Sequence, residues 1–220
     1  MSKSNTVTFV QNAKCYFMTE LSHRIENLEE SATLLMAGLV RRLKAEGRQL
    51  IDLTLGEPDF DTPEHIRQAA KVAIDNGFTK YPPVAGYPEL RKAISDKLKR
   101  DNHLDYSPEQ ILVSTGAKHS IANIVLTLIN PGDEVVIPAP YWVSYRAIVQ
   151  LAEGKVIEIP TTIHNEFKIT PEQLENSITT KTKLFIFSSP CNPTGSVYSK
   201  AELQALAAIF IKHPQIQVLS

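Results

Sequence analysis

The segment Ser188–Gly195 reads SSPCNPTG and directly follows the apolar run TKLFIF, so that Asn192 lies between two prolines where a predicted strand ends. Each proline fixes its own φ and restricts the residue before it, which makes the segment stiff. Gly195 permits a turn that other residues resist. The segment therefore presents one amide that can both donate and accept hydrogen bonds. An ordinary turn has the same composition and is, for these eight residues alone, the slightly better interpretation.

A second candidate site lies in LVSTGAKHSIANIVL (112–126), which runs from a strand through a glycine into a helix. Gly116, Ala117 and Lys118 would lie at the helix N-terminus, where unpaired N–H groups and the helix dipole favour an anion. A plain strand–helix turn explains the stretch at least as well. The sequence contains neither G-x-G-x-x-G nor G-x-x-x-x-G-K-[ST], which weakens the case for dinucleotide and P-loop binding.

Three further residues occur in similar settings. Trp142, the only tryptophan, follows a predicted strand in PAPYWVSY and could stack on a planar ligand, although a core aromatic is its usual role. Gly56 in LTLGEPDF could allow the backbone to approach a ligand, and Tyr81 precedes two prolines in KYPPVAGYP. A turn and an exposed linker are the ordinary alternatives. Together with residues 116–118 and Asn192, these residues indicate one site. In it residues 116–118 would form a phosphate cup, Trp142 a stacking ring, and Asn192 a fixed amide.

The surrounding elements must position these residues. Apolar runs predict strands at residues 49–56, 110–117, 133–140, 155–160, 182–190 and 215–220. Apolar stripes with helical spacing occur at 36–43, 121–128 and 203–210, and residues 63–76 and 86–100 are helical in composition. The stripes are interpreted as faces that pack on the sheet. This alternation predicts a three-layer α/β/α fold with a mostly parallel central sheet, in which ligands bind beyond the carboxyl ends of the strands.

Composition excludes several classes of function. Lys and Arg total 23 against 24 Asp and Glu, which gives no indication of nucleic acid or an anionic membrane as a partner. No apolar run reaches membrane-spanning length, and the N-terminus lacks the apolar region of a signal peptide. The two cysteines fit a reducing cytosol, so a cytoplasmic location is expected. The histidines show neither metal-binding spacing nor a triad arrangement, and Met18 is an alternative start.

Five segments together resemble the pyridoxal-phosphate (PLP) aminotransferases of fold type I, class I/II, and are most similar to the bacterial aspartate and aspartate/prephenate group. These segments are LTLGEPDFDTPEHI, TKYPPVAGYPELRKAI, VSTGAKHSI, NPGDEVVIPAPYWVSY and SSPCNPTGSVY. They occur in the family's order and cover roughly residues 20–220.

The resemblance implies a role for each candidate residue. Asn192 would donate to the phenolic oxygen of PLP and contact the substrate, and Trp142 would stack on the pyridine ring and help to hold the substrate carboxylate. Gly116, Ala117 and Lys118 would line the phosphate site. Gly56 would contact the substrate, and Tyr81 would reach the phosphate in the neighbouring subunit of a homodimer. The family also implies cis peptide bonds before Pro140 and Pro193.

The resemblance further implies a division of the chain. Residues 1–48 are expected to form an N-terminal arm and helix, and residues 49–220 the N-terminal part of the PLP-binding large domain. The rest of that domain, the small domain and the family's catalytic lysine would lie downstream, outside this sequence. No residue is therefore predicted to be catalytic, and Lys200 and Lys212 are assigned to an ordinary surface helix.

The expected function is transamination between an amino acid, with aspartate favoured, and a 2-oxo acid in the full-length protein. The 220-residue chain alone is expected to be inactive. Two alternatives stay open: another fold type I PLP enzyme, such as a C–S lyase or an aromatic transaminase, and a non-catalytic remnant or partner-dependent half. A transcription regulator would need a DNA-binding domain before residue 49, for which no basic helix is predicted.

Overall fold

The computed structural model describes residues 20–28, 32–54 and 56–220. In chain order, its helices are α1 (His23–Glu26), α2 (Ala32–Ala45), α3 (Glu64–Asp75), α4 (Pro88–Asn102), α5 (Ala117–Leu128), α6 (Ser144–Leu151), α7 (Pro171–Ser177) and α8 (Lys200–Lys212). The strands are β1 (Glu134–Ala139), β2 (Lys155–Pro160), β3 (Thr182–Ile186) and β4 (Gln217–Leu219). Short 3-10 turns occur at Pro108–Gln110 and Ile163–Asn165.

The four strands form one parallel sheet in the order β2-β1-β3-β4. Val135 of β1 lies opposite Val156 of β2 on one side and Leu184 of β3 on the other. Because β1 and β3 are direct neighbours, the turns that follow them emerge at the same edge of the sheet. This confirms the predicted α/β class and the parallel pairing.

Both faces of the sheet are covered, because successive side chains of a strand point to opposite faces. Val135 and Ile137 pack in a cluster with Val125 of α5 and Val149 of α6. On the other face, residues of β1 and β3 pack with α7 and α8; these are Val136, Phe185, Leu174, Leu206 and Ile209. The arrangement explains why the strands read as continuous apolar runs, and it confirms the three predicted layers.

Two of the predicted strands are wrong. The described parts of residues 49–56 and 110–117 form no strand, and Leu55 lies outside the described residues. A strand requires a neighbouring backbone that supplies a ladder of hydrogen bonds. Residues 111–114 make only an isolated bond of this kind, from Val113 N to Ala85 O at 3.1 Å, while Ile51 is 92% exposed. The strands predicted at 182–190 and 215–220 are present but shorter.

The five predicted helical stretches correspond to α2–α5 and α8, whereas α1, α6 and α7 are not predicted by the sequence analysis. The beginning of α7 carries a local signal, because Thr170 Oγ1 accepts a hydrogen bond from Gln173 N at 3.2 Å. The expectation that every apolar stripe packs on the sheet is wrong for α2. Neither core cluster of described residues includes a residue of this helix, and Met36 is exposed. Within the described ranges, no helix is long and apolar enough to cross a membrane.

Candidate functional site

The first turn of α5 offers backbone donors. Gly116 precedes the helix with φ of +83°, a conformation that side chains with a Cβ resist. Its N–H bonds to Ser114 O at 2.8 Å, and its carbonyl accepts from His119 N at 3.1 Å. Among the described residues, no acceptor is present for the N–H groups of Ala117 and Lys118. These two groups, at the positive end of the helix, can therefore bind an anion.

The side chain of Lys118 links this turn to the turn after β1. Its Nζ atom lies 5.0 Å from the centroid of the Trp142 ring, within the range of a cation–π contact. The rings of Trp142 and Tyr145 of α6 pack in a T-shaped arrangement, with 5.6 Å between ring centroids and 84° between ring planes. The structure thus places Lys118, at the start of α5, against Trp142, two residues that the sequence analysis assigns to one site.

Tyr141, beside Trp142, is bound to the neighbouring strand. Its hydroxyl donates to Glu158 Oε1 of β2 at 2.5 Å, and the same oxygen lies 2.8 Å from Arg146 NH1 of α6. Burial and the hydrogen bond to Glu158 raise the pKa of Tyr141 above its ordinary value. The hydroxyl is consequently a donor throughout the neutral pH range.

The turn after β3 is held by its own hydrogen bonds. Gly195 N donates to Cys191 O at 2.7 Å, and Asn192 N donates to Ser188 Oγ at 3.4 Å. Tyr198 N donates to Ser189 Oγ at 3.0 Å. The side chain of Asn192 is exposed and has no hydrogen-bond partner in the described part of the chain. The turn therefore presents an amide that has no partner among the described residues.

The peptide bonds before Pro140, Pro190 and Pro193 are cis. Those before Pro140 and Pro193 confirm two predictions, and the one before Pro190 was not predicted.

The two turns face each other across a small cleft, which is lined by Pro140 and Tyr141 from one and by Ser188 and Cys191 from the other. Cys191 Sγ lies 3.5 Å from Pro140 O. This proximity follows from the pairing of β1 with β3. The site is therefore assembled from segments far apart in the sequence.

Gly56 and Tyr81 are not part of this assembly. Gly56 is exposed, and apart from its chain neighbours no heavy atom of the described residues lies within 4 Å of the position that a Cβ would occupy there. The Tyr81 ring is fully exposed. Their predicted roles toward a substrate and a neighbouring subunit stay predictions.

Several residues that shape the site were not predicted. His119 Nδ1 accepts from Thr115 N at 3.2 Å and so fixes the backbone before the cup. Its position in the first turn, where side-chain acceptors often reach back to unpaired N–H groups, is a signal that could have identified it. Glu158 and Arg146 carry no such local signal, because their partner Tyr141 belongs to another element.

Comparisons with known proteins agree with this geometry. A family model described as aminotransferase class I and II matches residues 48–220. The aspartate/prephenate aminotransferase of Nitrosomonas europaea is 54% identical over 199 residues, which make up 90% of this chain and 50% of that protein. The aspartate aminotransferase of Bacillus subtilis is 45% identical over 194 residues, 88% of this chain and 49% of that protein.

Solved structures give the same result. The crystal structure of the aspartate aminotransferase from Rhizobium meliloti has a TM-score of 0.88 and 42% identity, and covers 91% of this chain and 50% of its own. The aspartate aminotransferase from Thermus thermophilus with maleate has a TM-score of 0.87 and 42% identity, over 91% of this chain and 52% of that one. The chain spans about half the length of the curated relatives it matches.

Proposed function

Because the chain belongs to the class I and II aminotransferase family, whose members use PLP, we propose that the full-length protein, as long as its relatives, is a cytoplasmic aminotransferase. It moves an amino group between an amino acid and a 2-oxo acid. In this proposal residues 49–220 form the N-terminal part of the cofactor-binding domain, and residues 1–48 form an arm and a helix.

The observation that carries the proposal is the position of Lys118 Nζ over Trp142, 5.0 Å from the ring centroid. It joins an anion-binding helix start to a flat ring, and the turn that bears Asn192 lies at the same edge of the sheet. An anion site, a stacking surface and an amide donor are the groups that a phosphorylated aromatic cofactor requires. The chemistry of these donors fits PLP.

Each residue has a specific task in this proposal. The N–H groups of Ala117 and Lys118, with the Lys118 ammonium, bind the phosphate. Trp142 stacks on the pyridine ring, and Asn192 donates to the phenolic oxygen of the ring. When bound, PLP supplies an electron sink that stabilises negative charge on the substrate α-carbon. The protein residues fix the orientation of the ring, and Trp142 shields one face of it from water.

Aspartate is the proposed amino donor. The curated relatives are named aspartate or aspartate/prephenate aminotransferases, and the PYW context of Trp142 favours a dicarboxylic substrate. Gly56, whose backbone is open to approach, contacts the substrate in this proposal.

A homodimer is part of the proposal. The fully exposed Tyr81 is available to reach the phosphate bound by a second subunit. Two large apolar side chains close to Tyr81 in the sequence, Phe78 and Val84, are also exposed. Contact with further protein would remove this apolar surface from water.

No lysine of this chain is proposed as catalytic. Lys200 begins α8, on the side of the sheet away from the α5 cup, and Lys212 Nζ lies 3.2 Å from Glu175 Oε2 at the other end of α8. The catalytic lysine is instead proposed in the half of the family sequence that this chain does not match. The 220-residue chain alone is accordingly proposed to be inactive.

The test compares the protein purified from its native source with the 220-residue chain expressed alone. Intact mass, PLP content and aspartate-dependent transamination are measured on both. We expect a native product heavier than 24.5 kDa that is active with PLP, and a 220-residue chain that shows no aspartate-dependent transamination.

Other outcomes identify the alternatives. A native product of 24.5 kDa that ignores PLP would replace the proposal with a non-catalytic or partner-dependent protein. A native product that prefers aromatic amino acids, or that cleaves sulphur-containing ones, would assign it to another fold type I activity.

A further inference from the structure

Glu158 joins three elements through a single oxygen atom. It lies on β2, in register with Ile137 of β1. Its Oε1 atom accepts from the hydroxyl of Tyr141, in the turn after β1, and from the guanidinium of Arg146 on α6. Hydrogen bonds between a hydroxyl and a carboxylate are stronger than those between neutral groups. The turn that bears Trp142 is thus tied to the adjacent strand.

The aromatic rings transmit this restraint. The Tyr141 ring stacks on Tyr145, with 6.3 Å between centroids and 21° between planes, and Tyr145 in turn meets Trp142 edge to face. Tyr145 is buried and its backbone N–H bonds to Trp142 O at 3.0 Å, which limits its freedom to move. A change in the position of Tyr141 therefore reaches Trp142 through a packed neighbour.

The ion pair alone does not explain the arrangement. The side chains of Arg146 and Glu158 are 45% and 42% exposed, and pairs of this kind add little to stability. Tyr141 differs because it is half-buried and held as a neutral donor by burial and by the Glu158 carboxylate, which raise its pKa. The hydrogen bond to Glu158 therefore restrains the orientation of the Tyr141 ring.

We propose that Glu158, acting through the hydroxyl of Tyr141, is a positioning residue that sets the orientation of the Trp142 indole. Its functional meaning rests on the proposed function, in which this indole stacks on the cofactor. The positioning itself is a property of the chain and can be measured without any cofactor.

The test uses the fluorescence of Trp142, the only tryptophan of the sequence, in the 220-residue chain. Tyr141→Phe removes the donor and Glu158→Leu removes the acceptor, whereas Glu158→Gln keeps an acceptor oxygen without the charge. We expect Tyr141→Phe and Glu158→Leu to shift the emission to longer wavelength and to increase quenching by acrylamide. Glu158→Gln should stay close to wild type, because the hydrogen bond is retained.

A matched control is Glu175→Leu. The Glu175 side chain is 39% exposed and also accepts from two basic groups, Lys212 and His213, but it lies on the opposite face of the sheet from Trp142. We expect the Trp142 emission and the acrylamide quenching of Glu175→Leu to equal those of the wild type. Emission from Tyr141→Phe and Glu158→Leu that also equals the wild type would overturn the proposal. If one of these two variants does not fold, the other decides the question alone.

A titration of the native protein with PLP separates this proposal from the proposed function. Loss of PLP affinity in Tyr141→Phe and Glu158→Leu, with rescue in Glu158→Gln, supports both. A fluorescence change in these variants without any PLP binding by the wild type supports the positioning role and contradicts the aminotransferase. Unchanged fluorescence in the variants of a PLP-binding protein contradicts the positioning role alone.

Discussion

The ammonium group of Lys118 lies over the indole of Trp142, 5.0 Å from the ring centroid, and so connects the first turn of α5 to the turn after β1. The backbone N–H of Lys118 is also one of the two N–H groups of α5 that have no acceptor among the described residues. A cation at this position both attracts an anion and holds the ring.

Replacing Lys118 with methionine should therefore have two effects. The loss of an exposed cation–π contact is expected to lower the free energy of unfolding by about 0.5–1 kcal/mol. The affinity of the native protein for PLP should fall further, because a charge facing the phosphate is lost. Urea unfolding and a PLP titration measure the two effects. Lys118→Arg keeps the cation and is the control; equal losses in the two variants would contradict the role of the charge.

Asn192→Ala should weaken PLP binding without changing thermal stability. The amide is exposed and has no partner within the described chain, so its removal leaves no unsatisfied group in the fold. A hydrogen bond to a charged oxygen is worth about 1.5–3 kcal/mol, which corresponds to a loss of about 10- to 100-fold in affinity. A melting temperature that falls with the affinity would mean that Asn192 supports the turn rather than the ligand.

Tyr198→Phe should be strongly destabilising for its size. The Tyr198 hydroxyl accepts from Ile169 N at 2.9 Å, and both residues are buried. Phenylalanine leaves this N–H unsatisfied, which costs about 1–3 kcal/mol. Chemical unfolding measures the change, and Tyr106→Phe, at an exposed position, should be nearly neutral. Equal effects in the two variants would contradict the importance of the buried bond.

Gly86→Ala should lower the free energy of unfolding, because it disturbs the packing of Val113 in the segment before α5. Gly86 has φ of +97°, and a Cβ there would lie 2.7 Å from Val113 Cγ2. Strain and overpacking together predict a loss of about 1–3 kcal/mol in unfolding free energy. Gly38→Ala within α2, where a Cβ meets open space, should instead stabilise by about 0.5–1 kcal/mol. A stabilising effect of alanine at both positions would show that residue 113 moves freely.

Alkaline pH should destabilise the fold through two tyrosines. Burial, with the Glu158 hydrogen bond in the first case, raises the pKa values of Tyr141 and Tyr198. Tyrosine in the unfolded chain titrates near pH 10, so the stabilisation is fully present below about pH 10 and is lost as the pH rises through the higher folded pKa values.

Tyrosinate absorbance and unfolding free energy, both followed against pH, check this prediction. Tyr141 and Tyr198 should ionise above the ordinary tyrosine pKa, and Tyr141→Phe should make the alkaline loss of stability shallower. Ionisation of both at the ordinary pKa would contradict the prediction.

The sequence predicted the elements whose pattern is local. The stripe at 121–128 identifies α5, and the apolar run at 133–140 identifies β1 because both faces of that strand are buried. The run at 110–117 is similarly apolar but forms no strand, since a strand also needs a partner backbone. Whether a neighbouring strand is available depends on the whole fold, and the sequence of the segment itself does not show it.

The same distinction applies to the site. Glycine and proline at the ends of predicted strands indicated Lys118, Trp142 and Asn192, because these residue types constrain the backbone locally. The bond between Tyr141 and Glu158 depends on the register of β1 with β2, and a pattern within either segment cannot reveal it. The positions of the candidate site residues therefore follow from the sequence more readily than the tertiary contacts that orient their side chains.

The central place of β1 in the sheet has a consequence for folding. β1 can pair with β2 as soon as the short α6 connection is made, but it can pair with β3 only after β2 and α7 have also been formed. Contacts between distant segments form slowly, because the entropy of closing the loop must be lost first. We therefore expect the turn of Trp142 to form before the turn of Asn192 joins it, because the second turn requires the docking of β3. Ligand binding at this edge would then report the docking of β3.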